Sequence, residues 1–124
     1  MGKTVRLPND TFIVNDLYST SERVIGKWIN GKPIYRRVYD ISHITSSNTD
    51  LVNISSLHRD EIIKMYGFIK SSTNYIYPIP LSDSSSNYSV IFYNGNSLRG
   101  RAALGSGGTI SSAYVIIEYT KTTD

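Results

Sequence analysis

STSERVIGKWINGKPIYRRVYD, residues 19–40, is the stretch whose reading decides the fold. Asn30-Gly31 stands between two β-rich runs. Asn and Gly tolerate the two positive φ angles of a type I′ turn, so the dipeptide predicts a hairpin. A two-residue turn sets Ile29 opposite Lys32, Trp28 opposite Pro33, Lys27 opposite Ile34 and Gly26 opposite Tyr35. The Trp28–Pro33 pair then falls at a non-hydrogen-bonded position, where the donor that proline lacks is not needed. One face carries Val24, Trp28, Pro33, Tyr35 and Tyr39, with Gly26 leaving room for a ring. The other mixes Ile25, Ile29, Ile34 and Val38 with Arg23, Lys27, Lys32 and Arg36. Trp28 is read as a core ring and Gly26, Asn30, Gly31, Pro33 and Tyr35 as framework of this hairpin.

The same period and punctuation continue along the chain. Residues 3–7 predict a short strand, stopped by Pro8-Asn9-Asp10, and residues 1–18 read as an entry or attachment segment. Residues 41–53, rich in Ser, Thr, Asn and Asp, predict a loop or a pair of short strands. Residues 59–70 are ambiguous by period. As a helix they align Ile62, Met65, Tyr66 and Ile69. As a strand they place Ile63, Met65, Gly67 and Ile69 on one face and Lys64, Tyr66, Phe68 and Lys70 on the other. The internal Gly67 and the β-branched and aromatic content favour the strand. Residues 71–74 predict a turn. Pro78 and Pro80 put both missing donors on one side of the run 75–81, which suits an edge strand. Residues 81–87 read as a polar loop, 88–93 as a strand, and Asn94-Gly95 as a second hairpin signal. Residues 98–104 set Gly100 and Ala102 against Arg99 and Arg101. Residues 109–120 are the longest strand candidate, with Ala113, Val115, Ile117 and Tyr119 on one face. The second half therefore reads as an antiparallel meander, and the whole as one all-β antiparallel sandwich over 1–124 with little or no helix.

Composition narrows the function. The 124 residues contain no cysteine, so neither disulfides nor thiolate chemistry is expected. A net charge of +3, with cations interspersed among apolar residues, lacks the clustered stripe of a nucleic-acid binder. No apolar run is long enough for a membrane-spanning helix. Ten tyrosines are the unusual number, because a large ring with a polar tip suits wet interfaces and stacking on sugars.

No converging catalytic constellation is visible. His43 and His58 show no metal-ligand spacing, and Asp60 and Glu61 are neighbours that a strand sends to opposite faces. The serines lack a nucleophile elbow, and the glycines at 105–108 lack the lysine and helix of a phosphate loop. The expectation is therefore a non-enzymatic protein with no catalytic residue, metal or cofactor. The positive signal is aromatic residues beside cations near loops. Tyr75, Tyr77 and Tyr93 are candidate saccharide-stacking rings, and Arg99 and Arg101 are candidate contacts for an anionic polymer.

The run from Ser19 through Arg37 resembles the opening of a domain common at the C-terminus of phage tail fibres and related receptor-binding proteins. AYVIIEYTKTTD, residues 113–124, is similar to that domain's ending, with DEIIKMYGFIKSS (60–72) and YPIP (77–80) between. The resemblance implies a virion-attached, all-β, oligomeric binding domain, made in the bacterial host cytoplasm and carried on a tail fibre or other surface appendage. A homotrimer is expected, mounted on other phage structural proteins and meeting a bacterial surface polysaccharide at the fibre tip. The alternative is a structural virion protein, a head fibre or capsid decoration, whose contacts are with other virion subunits.

Overall fold

The computed structural model describes residues 18–122. In chain order the strands are β1 (Arg23–Lys27), β2 (Pro33–Asp40), β3 (Thr49–Asn53), β4 (Arg59–Ser71), β5 (Ile76–Ile79), β6 (Leu81–Ser84), β7 (Asn87–Tyr93), β8 (Ser97–Leu104) and β9 (Ile110–Lys121), with one 3₁₀ turn at Ser55–Leu57. They form a five-stranded sheet in the order β1-β2-β9-β4-β5 and a four-stranded sheet in the order β3-β8-β7-β6. Every pairing is antiparallel. This is a β-sandwich, as the alternating runs and turn signals predict. The strand reading of 59–70 also holds.

The chain is organised around β9, not around the opening hairpin. β9 is hydrogen-bonded to β2 on one side and β4 on the other, and its residues 113 and 115–120 are all buried. Ala113, Val115, Ile117 and Tyr119 point inward, as their period requires, and meet Ile69, Ile79, Leu98, Ala102 and Leu104 in the shared core. Gly67 and Gly100 lie where a Cβ would come within 2.1 Å of the Tyr114 carbonyl and 2.3 Å of the Val90 carbonyl, so each lets its strand sit close to a neighbour's backbone.

The opening hairpin exists, but its register is one residue from the trial. Lys27 pairs with Pro33, Gly26 with Ile34 and Val24 with Tyr35, with a bulge between Val24 and Gly26. The Gly31 amide donates to the Trp28 carbonyl (2.9 Å) and the Trp28 amide to the Lys32 carbonyl (2.8 Å). Only Gly31 takes a positive φ (85°), so the loop has three residues and a glycine bulge, not the two-residue type I′ form. The turn at 71–75 repeats this pattern: Asn74 donates to the Ser71 carbonyl and takes φ 68°, while Ser71 donates to the Tyr75 carbonyl. Trp28 is half-buried and lies outside the core cluster, and no atom comes within 4 Å of a Cβ built on Gly26, so no ring fills that space. Both belong to the sandwich periphery, because β1 is an edge strand.

Residues 81–87 are not a loop throughout; β6 occupies their first half and pairs with β7. Residues 41–53 contribute β3 alone, with Ile41 and Ile44 buried in the loop before it. β5 is an edge strand, as its prolines suggest, and the chain changes sheets at the cis Ile79–Pro80 bond. The meander covers β6, β7 and β8 only; β9 crosses to the middle of the other sheet. The strand expected at 3–7 and almost all of the entry segment lie outside the described residues.

Candidate functional site

Three turns converge at one end of the sandwich. In the β4–β5 turn, Ser71 is 2% exposed, and its hydroxyl accepts from the amides of Thr73 (3.2 Å) and Tyr75 (3.1 Å). Thr73 Oγ1 donates to the Gly107 carbonyl at 2.8 Å, and the Ser72 amide donates to the Thr109 carbonyl at 2.8 Å. These bonds pin the turn to the β8–β9 connection, where Gly105 and Gly108 adopt positive φ (57° and 96°) that side-chain-bearing residues resist. The third turn joins β6 to β7. There Asn87 Nδ2 donates to Asp83 Oδ2 at 2.9 Å, and the Ser86 amide donates to Ser84 Oγ at 3.3 Å.

Between them lies a polar notch of about 390 Å³, lined by Tyr75, Tyr77, Asp83, Ser84, Ser86, Asn87 and residues 104–107. Tyr75 and Tyr77 stand 6.1 Å apart between ring centroids and are tilted by 57°. Tyr75 is 60% exposed and offers a free face. Tyr77 is half-buried against the core, and the hydroxyl of its ring fills the space a Gly107 side chain would take. Exposed ring, hydroxyls, amide and carboxylate together suit a pyranose, with stacking on its apolar face and hydrogen bonds to its hydroxyls. Among the described residues, the notch lining has one carboxylate and no histidine. Among the described residues no group of His, Cys, Asp and Glu could hold a metal ion.

The five candidate ligand residues therefore separate. Tyr75 and Tyr77 meet in the notch. Tyr93 sits at the far end of β7 from Asn87, roughly 20 Å along the strand at about 3.3 Å per residue. Its ring packs on the core beneath the Arg59 guanidinium, 4.2 Å from the centroid, and its hydroxyl donates to the Gly95 carbonyl. Arg99 and Arg101 lie on the outer face of the four-stranded sheet. Arg99 pairs with Asp50 at 3.4 Å, and Arg101 stacks on Tyr88 at 5.4 Å. Asp83, Ser84, Ser86 and Asn87 are site residues that the sequence did not single out, because a serine-rich run gives no sign of where it folds.

A second feature occupies the outer face of the five-stranded sheet. Tyr18, Val38, Tyr66, Phe68, Tyr114 and Ile116 line an apolar groove of about 480 Å³. An antiparallel sheet with one wet face ordinarily turns polar side chains outward, so this band departs from the pattern. One half-buried ion pair stands beside it. Glu118 Oε2 accepts from Arg36 Nε (3.0 Å) and Nη2 (2.9 Å) and from the Tyr66 hydroxyl (3.1 Å). Burial works against the Arg36 charge, but hydrogen bonding and attraction from Glu118 outweigh it and raise its pKa. Burial, together with hydrogen bonds to Tyr18 and Glu118, pushes the Tyr66 phenol well above its ordinary range. Across the sheet, burial and the Glu22 carboxylate do the same to Tyr119.

No family model matches the chain, and no curated protein or solved structure matches it significantly. Fold and geometry define its class: a two-sheet antiparallel sandwich with a polar, tyrosine-bearing notch at one end.

Proposed function

We propose that the chain is a non-enzymatic receptor-binding domain of a phage virion, the tip of a tail fibre that recognises a bacterial surface glycan through the notch. The observation that carries this reading is the convergence of three hydrogen-bonded turns around Tyr75. A binding tip requires such an arrangement: irregular segments held on a rigid scaffold, presenting a ring and several hydrogen-bonding groups. The resemblance of residues 19–37 and 113–124 to fibre-tip domains supports the same reading. A homotrimer mounted on other phage structural proteins fits it, because cyclic symmetry sets identical weak sites side by side and gains avidity. The test is adsorption of the labelled chain to a panel of bacterial strains. Saturable binding that is lost on oxidative removal of surface glycans and weakened in Tyr75→Ala supports the proposal. Uniform failure to adsorb overturns it.

The apolar band on the outer sheet face favours a second reading, a structural virion protein packed against other subunits. Light scattering coupled to size exclusion bears on both. A trimer that still adsorbs to cells fits the fibre tip, and a monomer at micromolar concentration removes the trimer. An assembly that binds virion proteins but no cell favours the structural role.

A further inference from the structure

The notch has a chemical bias that narrows its ligand. We infer that it takes a neutral or amine-bearing saccharide, one that presents hydroxyl or ammonium donors, and rejects phosphorylated and uronate polymers, with Asp83 deciding between them. This rests on the saccharide reading above and specifies it.

Among the described residues, every charged side chain lining the notch is acidic, since Asp83 is the one ionisable group there besides the tyrosines. Among the described residues no Lys or Arg lines it, and the two arginines that suggested an anionic polymer are engaged on another face, Arg99 with Asp50 and Arg101 over Tyr88. Asp83 is held in place by the Asn87 amide, which donates to Oδ2 at 2.9 Å. A carboxylate so oriented accepts hydrogen bonds only, and bonds to a charged acceptor are the stronger kind. The lone pairs of the Asp83 carboxylate that Asn87 leaves open call for donors. A phosphate or uronate brings further acceptors and a like charge, and nothing in the lining would offset the cost of seating it beside Asp83. A neutral hexose supplies hydroxyl protons, and a glucosamine unit supplies an ammonium. Tyr75 gives either ring an apolar face to stack on.

The experiment is a binding titration of the whole chain, as it exists, against oligosaccharides of fixed length: neutral glucose and galactose oligomers, chitosan oligomers, galacturonate oligomers and glycerol-phosphate oligomers. Each is run with the parent chain, Asp83→Asn and Tyr75→Ala, alongside thermal melts. The expected result is binding of neutral or chitosan oligomers and not of the anionic ones. Asp83→Asn should weaken that binding about tenfold at unchanged melting temperature, as loss of a charged acceptor does. Preferential binding of galacturonate or glycerol phosphate, or an Asp83→Asn chain that binds like the parent, overturns the inference while Tyr75-dependent binding still upholds the glycan site. Binding of no oligomer of any charge removes the glycan reading and this inference with it.

Discussion

A Cβ on Gly107 would come within 2.3 Å of the Tyr77 hydroxyl oxygen and 3.0 Å of the Leu104 carbonyl oxygen. The aromatic wall of the notch thus depends on a missing side chain in a different turn. Gly107→Ala must displace either the ring or the loop. We expect a loss of about 1–3 kcal/mol, the usual range for inserting a methyl into a filled space, and weakened saccharide binding with it. Thermal melts and a binding titration on the same sample check both parts.

Tyr75 and Tyr77 should respond differently to truncation. Tyr75 is 60% exposed, so Tyr75→Ala should leave stability within about 0.5 kcal/mol of the parent while binding falls. Tyr77 and Tyr93 pack on the core, and their alanine variants should melt earlier for that reason alone. Of the three tyrosine variants, only Tyr75→Ala separates binding from folding cleanly.

The Arg36–Glu118 pair is 14% and 11% exposed at its side chains. Glu118→Ala removes the carboxylate that accepts from both Nε and Nη2 of Arg36, whose guanidinium also lies 4.5 Å over the Tyr18 ring, and we expect destabilisation of about 1–3 kcal/mol. Replacing both residues by apolar ones of similar volume should recover most of that loss. Chemical denaturation of the single and double variants measures the difference directly.

Asp40 Oδ1 accepts from the Ser42 hydroxyl and amide, and Ser42 Oγ in turn accepts from the Ala113 amide of β9. The Ser42 hydrogen bonds hold the Asp40 pKa below its ordinary 3.8. A depressed carboxylate stabilises the fold above its unfolded pKa, and the contribution disappears as pH falls through the folded value. Asp40→Asn should therefore be slightly less stable than the parent at neutral pH, with the gap closing below about pH 4. The effect is small because Asp40 is exposed. Paired melts at pH 7 and pH 3 read it.

The opening hairpin should be less costly to perturb at its tryptophan than a core ring would be. Trp28 is half-buried on an edge hairpin, so Trp28→Ala should cost about 1 kcal/mol. Gly31→Val should cost about 1–2 kcal/mol, since Gly31 sits at φ 85° where a β-branched residue is strained. Melting temperatures of the two variants compare them.

What sequence alone could reveal follows from what is local. Strand period, the Asn-Gly turns and the inward face of β9 depend on neighbours in the chain, and these were legible. The opening register was not. Asn30-Gly31 serves a two-residue or a three-residue loop equally well, and the choice lies in the φ of one residue. The identity of the central strand depends on sheet order, which pairs β9 with partners about 80 and 50 residues away, a separation that no local period encodes. For the site, Tyr75 and Tyr77 stood out by residue type. Asp83 and Asn87 were hidden in a serine-rich run because their role comes from packing beside another turn. Tyr93 shared the same local setting of strand end and loop, yet its ring turned inward.

The most direct test of the account is an amide spectrum of the labelled chain, titrated with the neutral and chitosan oligomers. The notch predicts shifts confined to residues 71–77, 83–87 and 104–107, with Tyr75 and Asp83 among the largest. Shifts gathered instead on Val38, Gly67 and Ile116, along the outer groove, or no shifts with any oligomer, would contradict it.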